Sequence, residues 1–222
     1  MIPSIEYIRA TTQRHGARIG GVFFIRQKSY STFFMQPRPM TEKPRVTNAL
    51  TIAHTHLFRI ERIDVQFPNG VQVQWERLRS SSSGAVLVVP MRDRDTVLMI
   101  REYAAGVERY ELALPKGRME AGEIPEEAAN REIMEEIGYG ARRMRLVKSM
   151  TLAPGYFSHV THVLLAQDLY EEKRSGDEPE PIEVVPWPLD RLNELCARGD
   201  CTEARSIAAL FMVRELLNSE DG

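Results

Sequence analysis

Three glutamates carry the chemistry most legible in this 222-residue chain. Glu132, Glu135 and Glu136 lie within the segment Gly117 to Tyr139, GRMEAGEIPEEAANREIMEEIGY. On a helix, Glu132 and Glu136 are i,i+4 neighbours and Glu135 sits beside them at i+3, so three carboxylates share one face. Like charges so placed repel, and a plain surface helix would more often intersperse Lys or Arg. Crowded carboxylate oxygens are hard ligands that suit Mg²⁺, Mn²⁺ or Ca²⁺. An ion held there would serve pyrophosphate chemistry, in which negative charge must be neutralised before water can attack. The alternative for an isolated E-x-x-E-E run is a solvated acidic helix in which Glu123 and Arg131 pair structurally.

The surrounding residues favour the metal site. The segment fits G-x5-E-x7-R-E-U-x-E-E-x-G-U, where U is bulky and apolar. Gly117, Glu123, Arg131, Glu132, Glu135, Glu136 and Gly138 are fixed, with Ile133 and Tyr139 at the U positions. So many specified residues at fixed offsets make a chance match improbable.

The elements that must position these carboxylates can also be read. Pro125 suits the first turn of a helix. Glu126 and Glu127 then fall near its positive end, and Gly138 is placed to end it. Ala129, Ile133 and Ile137 form an apolar stripe that can pack the helix on a sheet. Upstream, Ile63, Val65 and Phe67 alternate, Pro68-Asn69-Gly70 follows, and Val71, Val73 and Trp75 alternate again. Asn-Gly between alternating runs predicts a hairpin over 57–78. Ser80 to Gly84 reads as a linker. Strands are expected at 85–91, 96–101, 146–152, 160–166 and 182–187, and helices at 189–198 and 202–218.

Composition sets broad limits. The chain has room for one substantial domain and an appendage. A net charge of −2 does not advertise nucleic-acid binding, and no apolar run is long enough for a membrane helix. Cys196 and Cys201 are the only cysteines, too few for a disulfide framework, and read as reduced thiols. These features suggest a soluble cytoplasmic enzyme. Residues 1–39 differ from the rest, with Arg9, Arg14, Arg18, Arg26, Lys28 and Arg38 against one acid, Glu6. An extension without a fold of its own, a start placed upstream of Met40, and a targeting segment are the readings open for them. The domain plan is then an extension at 1–44, a hairpin unit at 45–80 and a main domain at 81–218.

The segment 117–139 resembles the signature of the Nudix hydrolase family at every specified position. The resemblance implies an α/β/α sandwich around a mixed sheet. It also implies hydrolysis of a nucleoside diphosphate linked to another moiety X, with two or three Mg²⁺ ions (Mn²⁺ as a substitute). Glu132 and Glu136 would be metal ligands, Glu135 a ligand directly or through water, and the Lys116 carbonyl a further one. Glu123 and Arg131 would shape the loop.

Residues outside the signature narrow the resemblance. Pro154, fifteen residues beyond Tyr139, is similar to a proline of the ADP-ribose pyrophosphatase branch. There an N-terminal sheet helps build a homodimer and the adenosine pocket. Gly176-Asp177-Glu178-Pro179-Glu180-Pro181 resembles that branch's acidic catalytic loop. Glu178 is assigned as the base and Glu180 as a metal ligand, the reverse remaining open.

One position departs from the branch. Its members usually carry an arginine where this chain has Ala104, which leaves Arg101 as the candidate to face phosphate. The runs Arg101-Glu102-Tyr103-Ala104, Pro115-Lys116-Gly117 and Ala153-Pro154-Gly155-Tyr156-Phe157-Ser158 look like the ADP compounds hydrolase group. That group acts on ADP-ribose, diadenosine polyphosphates and NADH. Tyr156 and Phe157 could stack on a base or pack in the core, and His159 and His162 could bind ligand or hold a structural hydrogen bond. A specialist ADP-sugar pyrophosphatase and a non-catalytic nucleotide-binding module are the rival readings.

Overall fold

The structure, a computed structural model, describes residues 42–56, 58–80 and 84–220. The basic segment 1–39 lies outside these residues.

The expected hairpin is present. Strands β2 (Arg59–Gln66) and β3 (Gln72–Arg79) pair antiparallel from Gln66↔Gln72 to Arg59↔Arg79. The turn is closed by Gly70 N donating to the Phe67 carbonyl at 2.9 Å and Phe67 N to the Val71 carbonyl at 2.8 Å. Ile63 and Val65 are buried, and Phe67 meets Trp75 edge-to-face at 5.9 Å. A further strand, β1 (Arg45–His54), pairs with β2 and makes a three-stranded sheet. All ten of its residues are exposed. With no face buried within the chain, nothing obliges the strand to alternate, so its pattern was not legible.

The larger part is a sandwich. Strands β4 (Ala85–Pro90), β5 (Thr96–Ala104), β6 (Arg109–Ala113) and β7 (Lys116–Arg118) precede helix α1 (Pro125–Glu136). Strands β8 (Tyr139–Thr151), β9 (Val160–Glu171) and β10 (Glu183–Pro188) follow. A 3₁₀ turn at Leu189–Arg191 leads into α2 (Leu192–Cys196), and α3 (Ala204–Ser219) closes the chain. One sheet has the order β10-β5-β6 and the other β7-β4-β9-β8. In the second, β4 and β9 run parallel and the other pairs antiparallel, which makes the sheet mixed.

Strand alternation divides the interior in two. Side chains of successive strand residues point to opposite faces. Val86 and Val88 of β4, Leu98 and Ile100 of β5, and Leu164 and Ala166 of β9 pack under α1 with Ala128, Ala129, Ile133 and Ile137. Leu87 and Val89, Val97 and Met99, and Val163 and Leu165 pack on the other side with Leu192, Leu195, Leu210 and Val213. Every residue of β4 is buried, as a central strand between two helical layers requires.

Several boundaries moved from those expected. β8 begins at Tyr139, well before 146. It is an edge strand whose first half carries Arg142, Arg143 and Arg145, charges that suit an exposed edge and hide the alternation. The short β6 and β7 carry too few residues for a periodic signal. The helix expected at 189–198 is a 3₁₀ turn and a short α-helix, and α3 starts at Ala204 because Glu203 caps it. The Glu203 carboxylate accepts from Ser206 N at 2.7 Å and from Ser206 Oγ at 2.8 Å.

Ser206 links α3 to the sheet. It is fully buried, and its Oγ accepts from Leu114 N at 3.0 Å. Ser206→Ala leaves that buried N–H without a partner and should cost about 1–3 kcal/mol of unfolding free energy in a denaturant titration. An unchanged midpoint would show that α3 does not depend on this bond.

Candidate active site

Helix α1 starts and stops where its sequence dictates. Ile124 is extended ahead of Pro125, and Gly138 adopts φ +76°, a left-handed conformation that favours glycine. The buried stripe of α1 then fixes its rotation, which turns Glu132 and Glu136 inward. They are only 8% and 4% exposed, an unusual depth for carboxylates.

Burying them requires a gap in the sheet edge. Gly117 of β7 pairs with Val86 of β4, and a Cβ there would fall inside the Glu132 carboxylate. Only glycine allows this approach. Lys116 N donates to Glu136 Oε2 at 3.0 Å.

Arg131 organises the rest. Its Nε and Nη2 bind Glu123 at 2.9 and 3.1 Å. Its Nη1 reaches Glu132 at 2.8 Å and Glu135 at 3.2 Å, and Nη2 also donates to the Arg118 carbonyl at 2.9 Å. Glu123 in turn accepts from Glu120 N at 2.7 Å. Hydrogen bonding to Arg131 holds the Glu123 carboxyl below its ordinary range and raises the guanidinium. Burial pushes Glu132 up despite Arg131, and pushes Glu136 up to about 8.

The acidic loop passes beside this cluster. Lys173 Nζ donates to the Glu135 carbonyl, Arg174 N donates to the Met134 carbonyl at 3.0 Å, and Gly176 lies against Glu135. Glu178 follows, its carboxyl raised by burial and then by the charges of Glu102 and Asp177.

These residues fit a divalent cation. The donors are hard oxygens, two of them buried together with raised proton affinity, and Gly117 sets no side chain of its own against Glu132. As they lie, Arg131 and the Lys116 N–H engage them, and among the described residues no three acidic side chains converge on one point.

Other candidate residues are distributed unevenly. Arg101 is not brought to the cluster. It continues the side of β5 that faces α3, where it binds Asp200 at 2.6 Å and Glu183 at 3.0 Å. Glu102 takes the other side and binds Lys116 Nζ at 2.5 Å. Glu180 accepts from Tyr110 Oη at 2.7 Å on the surface. Pro154 opens a turn closed by Phe157 N on the Ala153 carbonyl at 2.8 Å. Tyr156 is exposed, and its backbone carbonyl accepts from Leu78 N at 2.7 Å.

Phe157 stacks on His159 at 5.3 Å and lines a cavity of about 550 Å³ with Phe58, Arg59, Arg79 and Arg118. His159, just before β9, also contacts Ser80 Oγ at 3.1 Å, and His162, on β9, contacts Ser149 Oγ at 2.9 Å. Sequence reasoning did not single out Glu102, Arg79 or Arg118. The parity of β5 would have given Glu102; the two arginines have no periodic signal.

Comparison with known proteins gives the family. The NUDIX domain model matches residues 82–209, and the model of the NudE-type Nudix hydrolase N-terminal domain matches 44–77. The chain belongs to the Nudix hydrolase family. It is 45% identical over 179 residues to ADP compounds hydrolase NudE of Escherichia coli (strain K12), covering 81% of this chain and 96% of that protein. It is 31% identical over 179 residues to an ADP-ribose pyrophosphatase of Bacillus subtilis (strain 168), covering 77% and 96%. A crystal structure of ADP compounds hydrolase superposes with a TM-score of 0.76 at 44% identity, covering 82% of this chain and 98% of that one.

The raised carboxyl of Glu136 has a consequence for stability. Between the ordinary value of 4.5 and about 8, the folded state keeps a proton that the unfolded state has released. The metal-free protein should therefore lose stability as pH rises through this window. Glu136→Gln removes the penalty. Its Tm should match the parent near pH 4 and exceed it by a growing margin up to about pH 9. Scanning calorimetry in chelator checks this, and a margin independent of pH would contradict it.

Proposed function

We propose that this chain hydrolyses the pyrophosphate bond of ADP-X compounds, ADP-ribose, diadenosine polyphosphates and NADH among them, to AMP and X-phosphate. One observation carries the reading: Glu132 and Glu136 are buried side by side at the Gly117 gap, next to a cavity lined with arginines and aromatic rings. The names of the relatives point the same way.

Glu132, Glu136, Glu135 and the Lys116 carbonyl would hold two or three Mg²⁺ ions, with Mn²⁺ able to replace them. When bound, such ions neutralise pyrophosphate charge and lower the pKa of coordinated water. The chain's own residues do the rest. Glu178 takes the proton of the attacking water, a role supported by its raised carboxyl and its place beside Glu102 and Lys116. Arg131 fixes the carboxylates. Glu180 keeps the second loop role, as a metal ligand, and would exchange Tyr110 for it.

In the cavity, Phe157 and Phe58 offer faces to a base, while Arg59, Arg79 and Arg118 offer donors to phosphate. One P–O bond of the anhydride breaks, oxygen from water enters the attacked phosphorus, and the proton leaves through Glu178.

The exposed strand β1, with Val46, Leu50 and Ile52 uncovered, supports a homodimer built through the N-terminal sheet. Residues 45–80 then form a dimerisation unit and 81–218 the hydrolase domain. A cytoplasmic location fits this small nucleotide substrate. Among the described residues, no helix is long and apolar enough to cross a membrane.

The test is AMP release, with Mg²⁺, from ADP-ribose, diadenosine triphosphate, NADH, ADP-glucose and ATP. AMP from several ADP-X compounds is expected, and Glu178→Gln should lower kcat by about 10²–10⁴-fold with KM near the parent's. One dominant substrate would make the chain a specialist. No AMP from any of them, with the fold intact, would overturn the reading in favour of a binding module. Light scattering after gel filtration should give twice the mass of one chain.

A further inference from the structure

We propose that the Lys116 ammonium grips the phosphate oxygens of the substrate, and that Glu102 positions it. This rests on the pyrophosphohydrolase reading and names the protein cation that such a site needs.

A pyrophosphate approaching α1 meets carboxylates on several sides. Glu132, Glu135 and Glu136 come from the helix, Glu178 from the loop and Glu102 from β5. All repel phosphate, so the protein must offer a cation with donors to spare.

Most nearby cations are already committed. Arg131 spends its donors on Glu123, Glu132, Glu135 and the Arg118 carbonyl. Arg101 faces away, bound to Asp200 and Glu183. Lys173 donates to the Glu135 carbonyl. Arg118 lines the neighbouring cavity, where it is one of the donors offered to phosphate.

Lys116 is different. An ammonium has three donors, and among the described residues only Glu102 engages it, at 2.5 Å. Both side chains of the pair are about a quarter to a third exposed, so a ligand can reach them.

The position of Lys116 is fixed at both ends. Its backbone N–H binds the buried carboxylate of Glu136, and its side chain is tied to β5 through Glu102. With its backbone on Glu136 and its ammonium on Glu102, the lysine lies on the side of β5 that carries the helix carboxylates. That is where the phosphates of an ADP-X compound have to lie. Strand parity makes the arrangement possible, since Glu102 shares its side of β5 with Leu98 and Ile100.

The test uses the full chain with Lys116→Met, Lys116→Arg and Glu102→Gln. Three quantities are read: kcat and KM for AMP release from ADP-ribose, the calorimetric affinity for α,β-methylene ADP-ribose with Mg²⁺, and Mn²⁺ affinity by electron paramagnetic resonance. Lys116→Met should raise KM and the analogue Kd by about tenfold or more, while Mn²⁺ affinity stays within about twofold. Lys116→Arg should recover most of the loss, and Glu102→Gln should fall between. Parent-like KM and analogue affinity in Lys116→Met would overturn the proposal while leaving the hydrolase reading intact. Equal loss of Mn²⁺ and analogue binding would also overturn it, because the lysine would then act through the carboxylates. A parent that neither releases AMP nor binds the analogue would sink both.

Discussion

Two carboxyl groups on adjacent turns of one helix are held inside this protein, and the structure around α1 is arranged to tolerate them. A carboxylate removed from water is costly unless it finds donors or a cation. Glu132 finds Arg131, and Glu136 finds the Lys116 N–H, yet burial still leaves both with raised proton affinity. The arrangement survives because the apolar stripe of α1 is anchored on β4, β5 and β9, which fixes the rotation of the helix. It also survives because Gly117 lets the backbone pass where any side chain would collide with Glu132. A site that buries two carboxyl groups in this way is suited to an ion that would displace the proton, and that suitability is the physical basis of the functional reading.

Strand parity separates the chemistry from the scaffold. On the α3 side of β5, Arg101 clamps Asp200, whose carboxyl is held well below its usual range by Arg198 and Arg101. Nearby, Glu111 accepts from Thr202 N at 3.0 Å and binds Arg109, while Ser206 secures α3. These pairs tie α2 and α3 to the sheet. On the α1 side, Glu102 turns the same strand toward the carboxylates. Adjacent residues of one strand thus serve unrelated ends, and a shift of one register position would exchange them.

Much of this was legible in the residues, though unevenly. The α1 carboxylates and both helix ends follow from local spacing, because a helix fixes the neighbours of each residue by count alone; the Glu123–Arg131 pair joins the preceding loop to the helix and was implied by the resemblance to the family signature. The β2–β3 hairpin follows from Asn69-Gly70 between alternating runs. Strand β1 did not, since no face of it is buried within the chain. Nor did β6 and β7, too short for a period to register. Arg101 was the candidate for phosphate because Ala104 stands where the resembled branch carries an arginine. The side of β5 on which it falls depends on which residues face α1, and Leu98 and Ile100 reveal that only once the sheet is assembled. The cavity at Phe157 brings Phe58, Arg79 and Arg118 together from three segments, a long-range proximity with no local signature.

The most direct test of the central claim is the anomalous scattering of manganese in crystals soaked with Mn²⁺. The account predicts a peak among Glu132, Glu136 and the Lys116 carbonyl, lost in Glu136→Gln. Saturating Mn²⁺ that leaves this place empty and occupies another, while AMP release continues, would contradict the claim that the buried pair on α1 is the metal site.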